Sequence, residues 1–307
     1  MSDQLYDVII IGAGPAGLTA AIYAGRAELH ALLLERGFPG GQVLNTYEVD
    51  NYPGMPMLSG MELAAKMHEH ASAYGIEMLT DEVIDLELGE PIKIVRTMSS
   101  EYRAKTVLFT AGAAWRKLGV PGEEELRGRG VSYCATCDGA FFRGKAVIVF
   151  GGGDTAVEDA IYLARFCKKV YLAHRRDALR AVKTLQNQAM GKENIEILWN
   201  TELREIHGQE QVDSVILYDN QKKEERKLAI DGVFIAVGVD PNAGLLKGKV
   251  DTDNAGYIIS DEDCQTSIPG VYVAGDVRRK RLRQIITAAA DGAVAINGIQ
   301  TYLAEKF

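Results

Sequence analysis

No run in the sequence approaches the roughly 18 consecutive apolar residues of a membrane-spanning helix. Its opening residues, Met1-Ser2-Asp3-Gln4-Leu5, lack the cationic patch and apolar stretch of a secretion signal. A cytoplasmic protein is therefore expected. Positive charge is also short: 34 Lys and Arg stand against 42 Asp and Glu, a net charge of -8, which disfavours nucleic acid and anionic membranes as partners. Cysteine is scarcer still. Cys134, Cys137, Cys167 and Cys264 are too few for a disulfide scaffold, and a reducing compartment would not keep such bridges oxidised. Glycine, by contrast, is plentiful at 32 of 307 residues, above the usual share of about 7%, which invites a search for phosphate-binding loops. The length exceeds the roughly 150 residues of a typical domain, so two domains are the natural expectation.

Hydrophobic patterning supports this division. Residues 7–11 form a β-branched run ending at Gly12, 18–26 read as a helix, and 31–34 as a second strand. The same unit recurs as a strand over 146–150, a helix over 154–166 and a strand over 170–173, with Gly151 standing 139 positions after Gly12. Similar strands over 107–112 and 233–238 close the two units, ending at Gly112 and Gly238, as ligand-facing strand ends often do. A further strand over 270–276 and a helical stretch over 284–303 then need a sheet to join. The economical arrangement inserts the second domain into the first, with crossings near 115–118 and 240–244. The predicted fold is α/β: two Rossmann-like, three-layer dinucleotide-binding domains, one discontinuous (1–116 and 244–307) and one inserted (117–243).

Gly12-Ala13-Gly14-Pro15-Ala16-Gly17 lies between a strand and a helix, the context that a dinucleotide fingerprint requires. Its glycines let backbone approach a pyrophosphate at the helix N-terminus. Glu35, 18 residues after Gly17, ends the next strand, where a carboxylate can accept hydrogen bonds from ribose hydroxyls. Gly151-Gly152-Gly153-Asp154-Thr155-Ala156 repeats the pattern, yet 18 residues after Ala156 stands His174, followed by Arg175 and Arg176, with Arg180 nearby. Guanidinium groups pair with a 2′-phosphate that a carboxylate would repel, so this loop should prefer NADPH to NADH; a solvated basic turn is the plainer alternative. Two different residues at one position imply two different dinucleotides.

Cys134-Ala135-Thr136-Cys137 precedes the second unit and is followed by Asp138. A C-x-x-C pair closes a small disulfide ring whose thiolate attacks or is attacked. Zinc would need two more ligands, and neither Cys167 nor Cys264 is paired with them; both read as small buried hydrophobes. No metal site is expected. Asp138 serves either as general acid to a leaving thiolate or as a helix cap. The run Arg278-Arg279-Lys280-Arg281, with Arg283, runs locally against the acidic balance and is expected on a solvated or cofactor-proximal edge.

Together, residues 12–17, Gly41-Gln42, 134–138, 151–156, His174-Arg175-Arg176-Asp177 with Arg180, and Gly275-Asp276 followed by Arg283-Gln284 resemble low-molecular-weight, bacterial-type NADPH-dependent thioredoxin reductase along essentially the whole chain. The resemblance implies FAD in the discontinuous domain, NADPH in the inserted one that carries the C-x-x-C, a homodimer, and thioredoxin as partner. It also implies residue roles. Gly41, Gln42 and Asn51 would line the FAD site with Gly275, Asp276, Arg283, Gln284 and Ile285; Cys137 would face the flavin, Cys134 would attack the partner disulfide, and Arg129 would touch the incoming protein. The inserted domain would turn between two arrangements to serve both half-reactions. Another dithiol acceptor, or a non-catalytic nucleotide or redox sensor, are the remaining readings of the same residues.

Overall fold

The computed structural model describes residues 4–46, 48–55 and 57–307. The chain divides into two compact units, Met1–Ala114 with Asp240–Phe307, and Trp115–Val239.

The first unit opens with β1 (Leu5–Ile11), α1 (Pro15–Arg26) and β2 (Ala31–Glu35). Val8 and Ile10 point to one face of β1 and Ile9 and Ile11 to the other, all four buried. This continuous apolar run suits a parallel strand covered on both faces. Helix α1 begins at Pro15, three residues before the expected start: proline at the first helical position loses an N–H that had no partner there anyway. Then follow α2 (Gly60–Ser72), opened by a Ser59–Glu62 capping box, β3 (Glu77–Thr80), β4 (Val83–Glu87), β5 (Lys93–Thr97), β6 (Glu101–Phe109) and β7 (Ala113–Trp115). The sheet order is β3-β2-β1-β6-β5-β4, with β1, β2, β3 and β6 in parallel and β4-β5-β6 an antiparallel meander.

The second unit contains β8 (Val131–Ser132), α3 (Ala135–Asp138), β9 (Ala146–Phe150), α4 (Asp154–Leu163), β10 (Lys169–Ala173), α5 (Lys183–Met190) and β11 (Ile195–Leu198). An antiparallel meander, β12 (Thr201–Gly208), β13 (Val212–Asp219) and β14 (Glu224–Ala229), precedes β15 (Gly232–Ile235) and the crossing strand β16 (Val239–Pro241). The parallel sheet runs β11-β10-β9-β15-β8. Val147, Val149, Val170 and Leu172 pack under α4 and α5, whereas Ile148, Phe150, Val233 and Ile235 pack against Leu203, Val215 and Leu217 of the meander. Helix, parallel sheet and meander make the three layers. Back in the first unit, β17 (Val271–Val273) pairs with the second half of β6, and α6 (Ile285–Lys306) packs along α1.

The unit boundaries fall a few residues from the expected ones. Trp115 goes with the second unit because its ring stacks on Tyr133 at 6.2 Å. Ala243 goes with the first because it packs beside Ile9 and Val273. Gly112 and Gly238 lie beyond the strands they were expected to end; the Gly112 carbonyl accepts from the Asn242 N–H, and the Gly238 carbonyl from the Arg116 N–H, each at 3.0 Å.

Candidate functional site

The loop after β1 is shaped by what its glycines lack. A Cβ on Gly17 would lie 1.8 Å from the Gly12 carbonyl oxygen, and Gly12, at φ +109°, has Thr110 against it. Thr110 Oγ1 has the carbonyl oxygens of Gly12 (2.7 Å) and Ile11 (2.9 Å) as alternative acceptors for its one proton, which ties the turn to this strand end. Gly14, the N-cap of α1, has open space where its Cβ would be and no side-chain cap. Uncapped amides beside open backbone fit an anionic pyrophosphate. Two further glycines close on α1: a Cβ on Gly275 would lie 3.0 Å from that of Ala16, and one on Gly292 2.2 Å from the Ala16 carbonyl oxygen. Glu35 ties this loop to β2: its Oε2 accepts the Ala13 N–H (2.7 Å) and its Oε1 the Gly37 N–H (3.0 Å). Gly41, at φ +58°, comes so close to Gly14 that a Cβ would stand 3.1 Å from the Gly14 Cα.

The remaining residues expected around FAD gather in the same unit. Gln42 Nε2 donates to the Ala113 carbonyl (3.2 Å), and Asn51 Nδ2 to Gln284 Oε1 (3.1 Å). Gln284 is the N-cap of α6, its N–H donating to Thr287 Oγ1 at 3.0 Å, and Ile285 begins the helix. Arg283 donates to the Asp276 carbonyl (3.3 Å) and lies over the Tyr257 ring at 3.9 Å. Burial raises the Asp276 carboxyl above the usual carboxylate range, with Lys280 and Arg283 opposing. Its Oδ1 is buried without a hydrogen-bond donor, Lys280 Nζ standing at 3.8 Å, and such an oxygen fits a hydroxyl-bearing ligand.

The basic run there is split rather than solvated as a whole. Arg278 and Lys280 turn inward onto Asp291, each at 2.8 Å, and Asp291 also accepts the Gly275 N–H at 3.0 Å. Arg279 and Arg281 face solvent. The sequence signal of Asp291 is faint: one acid in a first half of α6 that carries no other charge.

In the second unit the loop after β9 leads to Gly153, the uncapped N-cap of α4. A Cβ on Gly151 would lie 2.5 Å from that of Ala156, while nothing comes closer to one on Gly153 than Arg180 Nη2 at 4.0 Å. The Gly152 carbonyl accepts the N–H groups of Arg180 (2.7 Å) and Ala181 (3.1 Å), and Asp154 Oδ1 accepts the Val182 N–H (2.8 Å). Asp154 thus folds the 174–182 segment back over the helix start, where Thr155 is exposed. Arg175, Arg176 and Arg180 are exposed here. His174 departs from the expected basic cluster. Its ring is buried against Gly152, where a Cβ would come within 2.3 Å, and burial followed by the three arginines lowers its pKa, so it is uncharged at neutral pH.

The redox pair sits where β8 turns into α3. Cys134 is the N-cap of this single turn, and its carbonyl accepts the N–H groups of Cys137 (3.2 Å) and Asp138 (3.1 Å). Cys134 and Cys137 are joined as a disulfide with Cα atoms 5.3 Å apart. Thr136 Oγ1 lies 3.4 Å from Cys134 Sγ. Asp138 ends this helix and stands at the N-cap of the 3-10 turn that follows, Gly139–Phe142, without a side-chain cap hydrogen bond. Its Oδ2 accepts from Ser132 Oγ at 2.6 Å. Ser132 carried no sequence signal. Arg129 is exposed and donates to the carbonyls of Gln209 (3.5 Å) and Glu125. Cys167 and Cys264 are buried thiols, pushed up to about 11 and about 12 by desolvation.

The pyridine nucleotide-disulphide oxidoreductase family matches residues 6–292. Thioredoxin reductase of Bacillus subtilis is 48% identical over 304 residues, covering 99% of this chain and 96% of the relative. The crystal structure of thioredoxin reductase from Streptococcus pyogenes superposes with a TM-score of 0.96 at 47% identity, covering 99% of this chain and all of the other. That from Giardia duodenalis gives 0.93 at 34% identity, covering 98% of this chain and 100% of the other. The chain belongs to the pyridine nucleotide-disulphide oxidoreductase family, among its thioredoxin reductases.

Proposed function

We infer that this chain reduces the disulfide of thioredoxin with two electrons drawn from NADPH through FAD and the Cys134–Cys137 pair. The observation that carries the reading is that disulfide, formed within one helical turn and flanked by a hydroxyl-held carboxylate, in a chain with two glycine-loop sites of opposite charge. FAD, when bound, supplies a carrier between a hydride donor and a disulfide. The chain's own groups do the rest. The amides at Gly14 and the start of α1 would hold the FAD pyrophosphate, Glu35 would face the adenosine ribose, and Asp276, with Gly41, Gln42, Asn51, Gly112, Arg283, Gln284 and Ile285, would line the remainder. The α4 start holds the NADPH pyrophosphate, and Arg175, Arg176 and Arg180 pair with its 2′-phosphate.

At the redox pair, two electrons arriving at Cys137 open the S–S bond, Cys134 leaves as thiolate and Asp138 protonates it. In the outward half-reaction the Cys134 thiolate attacks one sulfur of the partner disulfide and expels the other. Cys137 then attacks Cys134, re-forming the bond and expelling the partner's second sulfur, and the two released thiolates take up protons from water to give the dithiol. The chain acts as a homodimer in the cytoplasm; among the described residues no helix is long and apolar enough to cross a membrane. Oxidation of NADPH and of NADH, each assayed with a panel of thioredoxins and with DTNB, tests donor and acceptor together. NADPH with thioredoxin should give the fastest turnover, and Cys137→Ser should stop dithiol output while NADPH still bleaches the flavin. A colourless protein that takes up no FAD would sink the reading.

A further inference from the structure

We propose that Ser132 is a positioning residue for the proton that Cys134 exchanges, holding the Asp138 carboxyl and the Cys134 backbone in one hydroxyl-centred network. The proposal rests on the role of Asp138 as the acid. Ser132 is buried on β8, two residues before Cys134. Its Oγ donates to Asp138 Oδ2 at 2.6 Å, accepts the Cys134 N–H at 3.1 Å, and has the Cys134 carbonyl oxygen at 3.3 Å as an alternative acceptor.

A hydroxyl has one proton to give and lone pairs to receive. With Asp138 ionised, that proton goes to the carboxylate. With Asp138 protonated, the carboxyl donates to Ser132 Oγ, and the hydroxyl proton turns to the Cys134 carbonyl. Both states of the acid then find a partner without any main-chain movement, which a buried group requires if neither state is to cost a lost hydrogen bond. When the disulfide opens, the proton passes from Asp138 to the Cys134 thiolate and Ser132 resumes donating. When Cys134 next attacks, the carboxylate takes the proton back. The donated bond favours the ionised carboxylate, so removing it raises the pH at which Asp138 ionises.

Neighbouring segments carry the other titratable groups. Cys137 shares the turn with Cys134, and α4, which packs against α3, carries Glu158 and Asp159. Arg143, following the Gly139–Phe142 turn, lies over the Phe166 ring.

The test follows the flavin-loaded, NADPH-reduced protein in single-turnover reaction with DTNB across pH, with iodoacetamide alkylation of Cys134 as a second readout. Ser132→Ala should move the acid-side midpoint of the rate upward by about one pH unit. Ser132→Thr should restore it. Asp138→Asn should abolish that limb, and Ser132→Ala added to Asp138→Asn should change nothing further. Asp159→Asn should leave the Ser132→Ala shift intact. A shift that persists without Asp138, or vanishes without Asp159, overturns the proposal, as does an unshifted Ser132→Ala profile. An unchanged Asp138→Asn profile instead overturns the acid role on which the proposal stands.

Discussion

The two glycine loops stand on the same strand, turn, helix and strand, yet they divide the work among different atoms. In the first, position 17 must be glycine because Gly12's carbonyl fills the space; in the second, Ala156 occupies that position and Gly151 gives way to its methyl. In the first, the residue ending the second strand ties the loop by accepting amides on a carboxylate; in the second, His174 supports the loop by packing its ring under Gly152. The scaffold demands close contact and a tie but leaves their chemistry open. That freedom sets the charge offered to a ligand. The first loop presents the remaining lone pairs of Glu35, whereas the second presents three exposed guanidinium groups and no carboxylate at the strand end.

The sharpest way to break the comparison is to exchange residues between the loops. Gly17→Ala places a methyl against backbone that cannot yield, so it should cost about 3 kcal/mol or more and empty the FAD site, read as lost flavin absorbance in the purified protein. The converse change, Ala156→Gly, should cost only about 1 kcal/mol, chiefly through helix propensity. Next in size is Arg175→Ala with Arg176→Ala. Charge-assisted bonds to phosphate are worth about 1.5–3 kcal/mol, so the KM for NADPH should rise at least about tenfold while that for NADH stays put. An equal loss with both donors would return these arginines to a solvated turn. Smaller again is Glu35→Gln, which leaves one oxygen to serve two amides. The loop should loosen by about 1–2 kcal/mol, measured as faster flavin release in dilute guanidinium.

Much of this comparison is legible in the sequence. The repeat at 139 positions, the acid-to-base exchange after it and the C-x-x-C spacing are local patterns, and local patterns survive in one dimension. The meanders were not legible. Strand β14 is Glu-Glu-Arg-Lys-Leu-Ala, its charged residues all exposed, and an edge strand without apolar alternation gives no period to read. Nor was Ser132 visible, since a serine near a cysteine acquires meaning only when a turn brings Asp138 back to it. The buried state of His174 was hidden likewise: its neighbours in sequence are arginines in solvent, while its neighbour in space is a glycine 22 residues earlier.

The smallest expected effect isolates the second loop's histidine, and the chain supplies the probe. Its two tryptophans, Trp115 and Trp199, both lie in the second unit, so intrinsic fluorescence follows that unit's unfolding while flavin release follows the other. His174 is held below its ordinary pKa in the folded chain. The unfolded chain therefore binds a proton first as pH falls, and the stability present above about 6.5 drains away toward the folded value. Asp159 acts with the opposite sign. Burial and the Glu158 carboxylate push it up to about 7, so the stability it contributes is full at low pH and lost as pH rises through about 7. Between pH 8 and 5 the two slopes oppose each other and flatten the fluorescence midpoint in denaturant. His174→Gln should uncover a midpoint that climbs on acidification, and Asp159→Asn one that falls more steeply than in the parent. If both variants keep the parent's slope, neither group titrates differently on folding, and the uncharged, glycine-backed histidine that distinguishes the second loop from the first is lost with them.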